Sequence, residues 1–512
     1  MYHNLNTKII PSRVSRVTEI LKNAGFQAFI VGGCVRDLIM STTISQDPKD
    51  WDITTDAHPE EIIRLFAQEN TEPDMPYKIV YENRFGTVMI IDEQEPVNSP
   101  TRQIEITPFR TESNYSDNRH PDNVSFAKTI EEDLARRDFT INALAYDIQN
   151  DIIKDMYDGI NDISKRHIQT VGDPKCRFEE DALRILRGIR FSAQLDFTIS
   201  HETLDAMFHM KHLLKNISAE RVRDEFIKII NSKNPIIAFG IMKQLGILEM
   251  IIPELLEGDM CDQGGVHKYD VLEHLLHACQ HAADKNYPFH VKLAALFHDI
   301  GKPRTKRPGK FKPTFYGHEV VGAKMTQKIM ERLKFPKADI EIVTKYVRWH
   351  MFFSDTESIT LSAVRRMIQN VSRENIWDLM KVRECDRVGM AKTEAPFRLR
   401  KYFAMIEECL RDPISVSQLA IDGNYLIHTL HVKPGRRMGW ILHTLLEEVL
   451  EEPSKNTVEN LSLRVKQLEE LSDTELMKLG EAGREKKEKL EEQEIHKLHV
   501  KHKVSSSKKN PA

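Results

Sequence analysis

The chain has 512 residues, of which 40% are hydrophobic and 29% charged, and its formal net charge is −4 at pH 7. At roughly 150 residues per domain this length predicts about three or four domains, and no apolar run reaches the roughly 20 residues that cross a bilayer. The first residues lack the apolar segment of a signal peptide. We therefore expect a cytoplasmic protein without a membrane helix. The net charge gives no global nucleic-acid signature, so any contact of that kind would have to come from local basic groups.

Two patterns follow each other along the chain. Up to about residue 150, short β-rich runs such as AFIVGG, DWDITT, GTVMII and RQIEITPF alternate with amphipathic helical stretches. From about residue 155 strands nearly vanish, and apolar residues recur at the spacing of a helix. The sequence predicts an α+β multidomain protein, in which a small mixed sheet with helices precedes mostly helical domains.

Breaks in composition mark the expected domain boundaries. Pro253 and the glycine-rich run EGDMCDQGG interrupt the helical pattern, and the last segment has hardly any apolar residues. We expect a head over 1–155, a helical neck over 156–252, a histidine-dense block over 253–395, a helical tail over 396–480 and a disordered segment over 481–512. The lysines of that segment could hold RNA phosphates, although a solvated tail has the same composition.

The head contains residues suited to phosphate chemistry. Gly32 and Gly33 lie between a strand and a helix, where backbone amides can approach an anion, although glycines close many such turns for steric reasons alone. Asp50 and Asp52 are two apart on a predicted strand and so point to one face, and Glu105 on another strand is a third candidate. Adjacent carboxylates repel unless cations lie between them, as in a two-metal site. Solvated carboxylates at a strand end or edge give the same pattern.

Six motifs identify a family. In chain order they are IVGGCVRD (30–37), DWDITT (50–55), IEITPFR (104–110), RHPDNVSF (119–126), DLARRDFTINALAYD (133–147) and DPKCRFEEDALRILRGIRF (173–191). Their order and spacing resemble the class II tRNA nucleotidyltransferases and bacterial poly(A) polymerases. The resemblance implies a polymerase-β-like head in which Asp50 and Asp52 hold Mg²⁺. Glu105, inferred from the strand pattern, would be the third catalytic carboxylate. The RNA 3′-hydroxyl would attack the α-phosphate of CTP or ATP, and pyrophosphate would leave.

The same resemblance implies nucleotide-binding residues. Arg137, Asp138 and Asn142 match contacts to ribose and triphosphate, although Asp138 could also cap the following helix. The helix containing Asp181 and Arg184 would choose the base, because residues three apart share a helical face; an intrahelical ion pair has the same spacing. The full predicted set is Gly32, Gly33, Arg36, Asp37, Arg137, Asp138, Asn142, Asp181, Arg184, Arg187 and Arg190.

Two further segments bear on the product. The stretch FRTESNYSDNRHPDNVSF resembles the flexible loop of CCA-adding enzymes, with Arg110 and Arg119 as RNA-binding candidates, but departs from their common pattern at Ser113-Asn114 and His120. Near the C-terminus, the run KPGRRMG resembles the family's tRNA-contacting tail, where Lys433 and Arg436 would suit phosphates; a packing corner explains its Gly and Pro equally well. We expect CCA addition to tRNA. Addition of the terminal A alone, poly(A) synthesis and CC addition are the alternatives.

Six residues of the histidine-dense block form a second candidate site: His274, His298, Asp299, His318, His350 and Asp386. Ligands in this order resemble the HD phosphohydrolase superfamily, which binds divalent metals. A single histidine on an apolar face is usually a core residue, but this set predicts a dinuclear site for a divalent transition metal or Mg²⁺. We expect a second, hydrolytic activity on phosphoesters such as 2′,3′-cyclic nucleotides or damaged RNA ends.

The leading hypothesis is therefore a bifunctional enzyme with a nucleotidyltransferase head and an HD phosphohydrolase domain. One rival is an HD phosphohydrolase whose head only grips RNA. Another is an RNA-binding protein without catalytic activity. Intact Asp50 and Asp52 argue against both.

Overall fold

The computed structural model describes residues 5, 7–41, 48, 50–69, 77–82, 86–96, 99–113, 123–264, 268–351, 360–389, 396–411 and 416–479. The expectations for Arg119 and for the segment 481–512 lie outside these residues. The chain divides into two compact units, Met1–Leu256 with Ile329–Phe335, and Glu257–Lys328 with Pro336–Ala512.

The first unit contains all the strands named here: β1 (Ala28–Val31), β2 (Trp51–Thr55), β3 (Tyr77–Glu82), β4 (Thr87–Asp92), β5 (Gln103–Pro108), β6 (Arg110–Ser113), β7 (Asn123–Phe126), β8 (Leu144–Asp147), β9 (Ile152–Asp155), β10 (His167–Ile168) and β11 (Thr198–Ile199). Seven of them form one sheet in the order β3-β4-β5-β2-β1-β8-β9. β2 and β5 are parallel, and the other neighbours in this sheet are antiparallel. β6 pairs with β7 and β10 with β11.

Strand burial follows the residue pattern. On β5, Ile104 and Ile106 are buried while Glu105 between them is exposed, as the alternation of strand side chains requires. All four residues of β1 are buried, because this strand lies inside the sheet. The mixed sheet and the mostly helical remainder confirm the predicted fold class.

The helices of the first unit are α1 (Ser12–Asn23), α2 (Gly33–Met40), α3 (Pro59–Glu69), α4 (Ile130–Ala135), α5 (Gly159–Lys165), α6 (Pro174–Glu180), α7 (Leu183–Leu195), α8 (His201–Met210), α9 (Ala219–Ile230), α10 (Pro235–Leu245), α11 (Leu248–Ile251) and α12 (Pro253–Leu256). The predicted continuous helix through Asp181 is wrong. Asp181 has an extended backbone (φ −144°), and its side chain accepts a hydrogen bond of 3.0 Å from the Leu183 amide. This local bond competes with the helix, so α6 ends and α7 begins there.

The second unit is helical in its described part. It contains α13 (Val271–Asp284), α14 (Phe289–Phe297), α15 (Lys302–Thr305), α16 (His318–Arg332), α17 (Lys337–Trp349), α18 (Leu361–Val371), α19 (Ile376–Cys385), α20 (Pro396–Arg411), α21 (Gly423–His428), α22 (Arg436–Glu451) and α23 (Val458–Glu469), of which α16 continues into the first unit's segment 329–335. Seven of the nine residues of α14 are buried, so this helix lies at the centre of its helical bundle. Among the residues described, none of the helices has both the length and the apolar character needed to cross a membrane.

Candidate active site and candidate metal centre

The carboxylates of the head lie on two parallel strands. Asp52 on β2 and Glu105 on β5 are Cα partners, so their side chains leave the sheet on the same face. Ile53 and Ile104 are buried on the other face. Asp50 directly precedes β2 and is exposed. The three carboxylates are neighbours, although they form no compact three-ligand group within the described part of the chain.

Asp52 lies in an environment suited to a cation. Burial raises the pKa of the Asp52 carboxyl, Arg137 lowers it, and Asp50 raises it further. Two carboxylates this close favour a bound cation, and carboxylate oxygens are the ligands that Mg²⁺ prefers. The donors of Asp50 and Asp52, with Glu105 on the adjacent strand, therefore fit Mg²⁺.

Gly32 brings the backbone close to these side chains. It has a φ of +80° and immediately precedes α2. A Cβ atom on Gly32 would lie 2.9 Å from Arg137 Nη1 and 3.9 Å from Asp52 Oδ2. Both the left-handed φ and the close approach require glycine. The turn, Asp52 and Arg137 therefore meet at the N-terminus of α2, where an anion is favoured.

A buried chain of hydrogen bonds joins residues predicted from separate motifs. Arg36 Nη1 donates to Asn142 Oδ1 at 2.8 Å, and Asn142 Nδ2 donates to Asp138 Oδ1 at 3.3 Å. Arg187 Nε donates to Asp138 Oδ2 at 2.7 Å. Burial alone would raise the pKa of Asp138, but Arg187 and Arg184 outweigh it and lower the pKa to about 2. Asp138 therefore stays ionised and fixes the side chains of Asn142 and Arg187.

Local bonds complete this network. Asp138 Oδ1 accepts from the Phe139 amide at 2.8 Å, next to a 3-10 turn at Thr140–Asn142. Arg36 Nε donates to Asp37 Oδ1 at 2.9 Å. Asp138 therefore accepts from the backbone next to the following turn and binds Arg187 at the same time.

Phe191 is the centre of an arginine cluster that the sequence did not indicate. The guanidinium carbons of Arg36, Arg187 and Arg190 lie 5.5, 5.5 and 4.4 Å from its ring centroid. Arg190 also pairs with buried Glu225 at 3.0 Å. Burial and the neighbouring Arg187 lower the pKa of Arg190 to about 10. Aromatic contact holds these cations together on one side of the neck.

Asp133 is a second residue that sequence reasoning missed. Its side chain is fully buried and pairs with Arg137 at 3.2 Å and with Arg136 at 2.7 Å. Burial opposes ionisation, but the two arginines outweigh it and lower the pKa of Asp133. Because Arg137 Nη1 also donates to the Asn142 carbonyl oxygen at 3.4 Å, its guanidinium has a fixed position. An acid three residues before the RRD motif was the available signal.

Asp181 and Arg184 do not form the predicted pair on one helix face. Both oxygens of Asp181 accept from Arg221 of α9, at 2.7 and 3.2 Å. Arg184 is buried, pairs with Glu180, and donates to the Arg136 carbonyl oxygen at 2.9 Å. Arg184 therefore pairs with Glu180 at the end of the preceding helix, and Arg221 is the partner that positions Asp181.

The RNA-binding candidates have different surroundings. Arg110, at the start of β6, is partly buried, and its backbone amide donates to Asp133 at 3.4 Å. Lys433 and Arg436 are exposed at the start of α22. The adjacent Arg437 instead pairs with Asp473 and donates to two backbone carbonyl oxygens near the end of α23, which is the packing corner considered for this motif.

The six residues of the second candidate site converge in the second unit. His274, His298, Asp299 and Asp386 form one possible ligand group, and Asp299, His318 and His350 form another. Asp299 Oδ2 lies 3.4 Å from His274 and 3.3 Å from His298, whereas Oδ1 lies 3.1 Å from His318 and 3.6 Å from His350. One carboxylate thus faces both groups, as a ligand bridging two cations would.

All four histidines present Nε2 to this cluster and bind a backbone carbonyl oxygen through Nδ1. These contacts are 2.7 to 3.1 Å long and join His274 to Val388, His298 to Ala295, His318 to Phe315 and His350 to Val347. A carbonyl oxygen accepts only from a protonated nitrogen, so each Nδ1 carries hydrogen. In the neutral rings Nε2 is left as the metal-binding atom.

The cluster also contains buried atoms that need a partner. His318 Nε2 and His350 Nε2 are buried and make no hydrogen bond among the described residues. Burial opposes the ionisation of Asp299 and Asp386, but Lys302 and His298 outweigh it at Asp299, and Arg383 does so at Asp386, so both pKa values are lowered well below their usual range. Ionised carboxylates beside unsatisfied imidazole nitrogens fit divalent cations.

The two sites define two classes of protein domain. A mixed sheet with adjacent carboxylates on parallel strands, a glycine turn and a neck of arginines is a nucleotidyltransferase head. Helices that gather four histidines and two aspartates around one bridging carboxylate form an HD-type metal centre.

Comparison with known proteins gives the same classes. Residues 28–169 match the poly A polymerase head domain, residues 196–258 match the probable RNA and SrmB-binding site of polymerase A, and residues 267–389 match the HD domain. The chain therefore combines a segment similar to the poly A polymerase head domain with a segment, in its C-terminal half, that is similar to the HD domain.

Individual relatives are CCA-adding enzymes. The CCA-adding enzyme of Lactobacillus helveticus (strain DPC 4571) is 45% identical over 213 residues, which are 42% of this chain and 48% of that enzyme. The chain thus spans about half the length of the curated relatives that it matches.

Solved structures share the fold over a longer stretch. The crystal structure of the Bacillus stearothermophilus CCA-adding enzyme in complex with CTP has a TM-score of 0.62 at 22% identity, covering 90% of this chain and 98% of that one. The Thermotoga maritima CCA-adding enzyme complexed with tRNA_CCA has a TM-score of 0.53 at 19% identity, with coverages of 91% and 97%. At these identities the likeness shows the fold.

Proposed function

We propose that this protein is a CCA-adding enzyme, which adds nucleotides from CTP and ATP to the 3′ end of tRNA without a nucleic-acid template. The observation that carries the proposal is the register that makes Asp52 and Glu105 neighbours on parallel strands, with Asp50 just before β2. The relatives named CCA-adding enzymes, and their structures with CTP and with tRNA, support this choice of product over poly(A).

Each part of the head has a role in this reaction. Asp50 and Asp52 would hold Mg²⁺, which when bound supplies charge neutralisation at the triphosphate. Gly32 and Arg137 lie beside Asp52 and would receive the phosphates. The RNA 3′-hydroxyl attacks the α-phosphate, the bond to the β-phosphate oxygen breaks, and pyrophosphate leaves. Positioning and charge compensation supply most of the catalysis in such a transfer.

The remaining predicted residues would bind the base and the tRNA. We assign base choice to Asp181 and Arg184 and tRNA phosphate contacts to Arg110, Arg119, Lys433 and Arg436. The proposed domains are the head (1–155), neck (156–252), HD domain (253–395) and tRNA-binding tail (396–480). Because tRNA, CTP and ATP are the proposed partners, we place the enzyme in the cytoplasm.

The test uses purified full-length protein and three tRNAs, which end before CCA, after the first C and after CC. Each is incubated with CTP or ATP alone and with both, and the products are sequenced. We expect two C residues and then one A. Absence of C on the shortest tRNA, with A added after CC, would replace the proposal by A addition alone; continued addition of A would replace it by poly(A) synthesis.

We also propose that the HD domain is a phosphohydrolase, because Asp299 places one oxygen toward each of two ligand groups. A divalent transition metal or Mg²⁺ would occupy these groups. Hydrolysis of 2′,3′-cyclic nucleotides with Ni²⁺, Mn²⁺ or Mg²⁺ is expected to vanish in Asp299→Ala while nucleotide addition survives. If both activities fell together, the two sites would not be independent.

A further inference from the structure

A basic hairpin lies in the second unit, between α15 and α16. We define it as residues 306–314; Arg307 and Thr314 close it through two backbone hydrogen bonds of 2.9 and 3.0 Å. It carries four cationic side chains, those of Lys306, Arg307, Lys310 and Lys312, all on exposed residues. At its tip the aromatic side chain of Phe311 is 91% exposed, with Lys310 Nζ 5.4 Å from the ring centroid.

The basic hairpin borders a cavity of about 510 Å³. The side chains around it include the four cations and one acid, Asp262. An exposed aromatic ring adds nothing to a hydrophobic core, but its face can stack on a nucleobase while nearby cations hold the phosphates. Stacking platforms within cationic grooves are how proteins bind single-stranded nucleic acids without reading their sequence.

Residues that flank the basic hairpin connect it to the HD metal centre. Lys302 Nζ pairs with Asp299 Oδ2 at 2.5 Å and donates to Gln263 Oε1 at 2.7 Å. The ring of Phe315, which directly follows the hairpin, lies 5.7 Å from the same Nζ. Gly264, next to Gln263, packs so closely on the hairpin that a Cβ there would be 2.9 Å from Pro313. Gln263 and Lys302 therefore link the base of the hairpin to the bridging carboxylate.

We infer that the basic hairpin binds single-stranded RNA and delivers its phosphorylated end to the HD centre, so that the substrate is a terminal phosphate ester on an RNA strand. This inference rests on the proposed phosphohydrolase function. In the reaction, water adds to phosphorus, one ester P–O bond of the 2′,3′-cyclic phosphate breaks, and the leaving ribose oxygen takes a proton. A free mononucleotide has one base and one phosphate and would use little of this surface.

The experiment compares two substrates on full-length protein loaded with Ni²⁺ or Mn²⁺. One is a single-stranded RNA of about ten nucleotides with a 2′,3′-cyclic phosphate end, a length within the usual single-strand site size, and the other is 2′,3′-cyclic AMP. The test variant is K310S/F311A/K312S. Phe311→Tyr keeps the ring, and Lys337→Ser removes another exposed lysine of the second unit, whose side chain is 91% exposed.

We expect the triple variant to lower kcat/KM for the RNA at least about tenfold, chiefly through KM, because it removes a stacking ring and two phosphate-binding cations. Hydrolysis of cyclic AMP should stay within twofold, and the two control variants should act like the parent on both substrates. The salt dependence of the RNA reaction should also weaken. Equal losses on both substrates, or no loss on RNA, would overturn the inference.

A separate outcome concerns the proposed function itself. If the parent protein hydrolysed neither substrate with any metal, the phosphohydrolase proposal would fail. The RNA-binding role would then be decided by photo-crosslinking a 4-thiouridine RNA to the full chain and sequencing the crosslinked peptides. Crosslinks within residues 306–314 would support it, and their absence would exclude it.

Discussion

Arg187 on α7 donates a hydrogen bond of 2.7 Å from Nε to Asp138 Oδ2, and its Nη2 forms an ion pair with the same oxygen at 2.7 Å. The pKa of Asp138 is lowered from 3.8 to about 2. The link therefore stabilises the folded chain fully above pH 3.8, and this contribution disappears as the pH falls through 2. A shift of this size corresponds to about 2 kcal/mol.

Asp138→Asn should remove that contribution. In urea unfolding of the full chain, we expect the variant to lose about 2 kcal/mol at pH 7 and the difference from the parent to shrink between about pH 4 and pH 2. Glu93→Gln, which changes an exposed head carboxylate paired with Lys78 at 3.3 Å, is the control. A difference that does not change with pH would mean that ionisation of Asp138 does not stabilise the fold.

Asp52→Asn should abolish nucleotide addition without unfolding the head. Its backbone pairing with Glu105 does not depend on the side chain, but the amide removes a charge from the proposed Mg²⁺ site. We expect kcat to fall at least about 100-fold, with hydrolysis at the HD centre unchanged. Comparable addition by Asp52→Asn and by Glu93→Gln would remove Asp52 from the mechanism.

Arg221→Lys should change which nucleotide is selected. Lysine cannot reproduce the two parallel hydrogen bonds that hold Asp181. We expect the ratio of kcat/KM for CTP and ATP to shift about tenfold. Arg223→Lys on the same helix is the matched control, because Arg223 pairs with its exposed neighbour Asp224. Equal ratios in the two variants would argue against Asp181 as a base-choosing residue.

Metal stoichiometry should separate the two ligand groups of the HD centre. Relative to the parent protein, titration with Mn²⁺ should lose one equivalent in His350→Ala and two in Asp299→Asn, because only Asp299 faces both groups. His281→Ala changes a nearby histidine that pairs with Glu384 at 3.3 Å and should lose none. Loss of a single equivalent in Asp299→Asn would exclude a bridging role.

Gly301→Ala should disable the HD centre through a steric clash, without replacing any of the candidate metal ligands. A Cβ there would lie 2.2 Å from the His318 carbonyl oxygen and 2.6 Å from the Gly322 amide nitrogen, so α16 would have to move. We expect hydrolysis to fall at least about tenfold, since ligand displacement of this kind is costly, while nucleotide addition persists. Gly439→Ala, with open space at its Cβ, should change neither activity.

The sequence predicted those features that depend only on neighbouring residues in the chain. The alternation around Glu105 and the order of the HD ligands could be recognised without a structure. The adjacency of Asp52 and Glu105 could not, because it depends on β5 pairing in parallel with β2 across 53 residues of chain. Arg221 and Glu225 were missed for the same reason, since their partners Asp181 and Arg190 lie 40 and 35 residues away in the sequence.

The break at Asp181 has a different cause. The apolar spacing continues through this position and predicts a helix, but the Asp181 side chain binds the Leu183 amide and Arg221. Two side-chain bonds therefore override helical periodicity at one residue. A pattern of apolar positions contains no information about either bond.

The carbonyl oxygens that bind Nδ1 of the HD histidines lie at different distances along the sequence. His298, His318 and His350 each bind the carbonyl oxygen three residues earlier, whereas His274 binds Val388, 114 residues away. The tautomer of the first three is thus set by a carbonyl oxygen three residues away, and that of His274 requires the chain after α19 to be in place. Loosening of the chain after α19 should accordingly free Nδ1 of His274, and with it the choice of tautomer, while the Nδ1 contacts of the other three histidines persist.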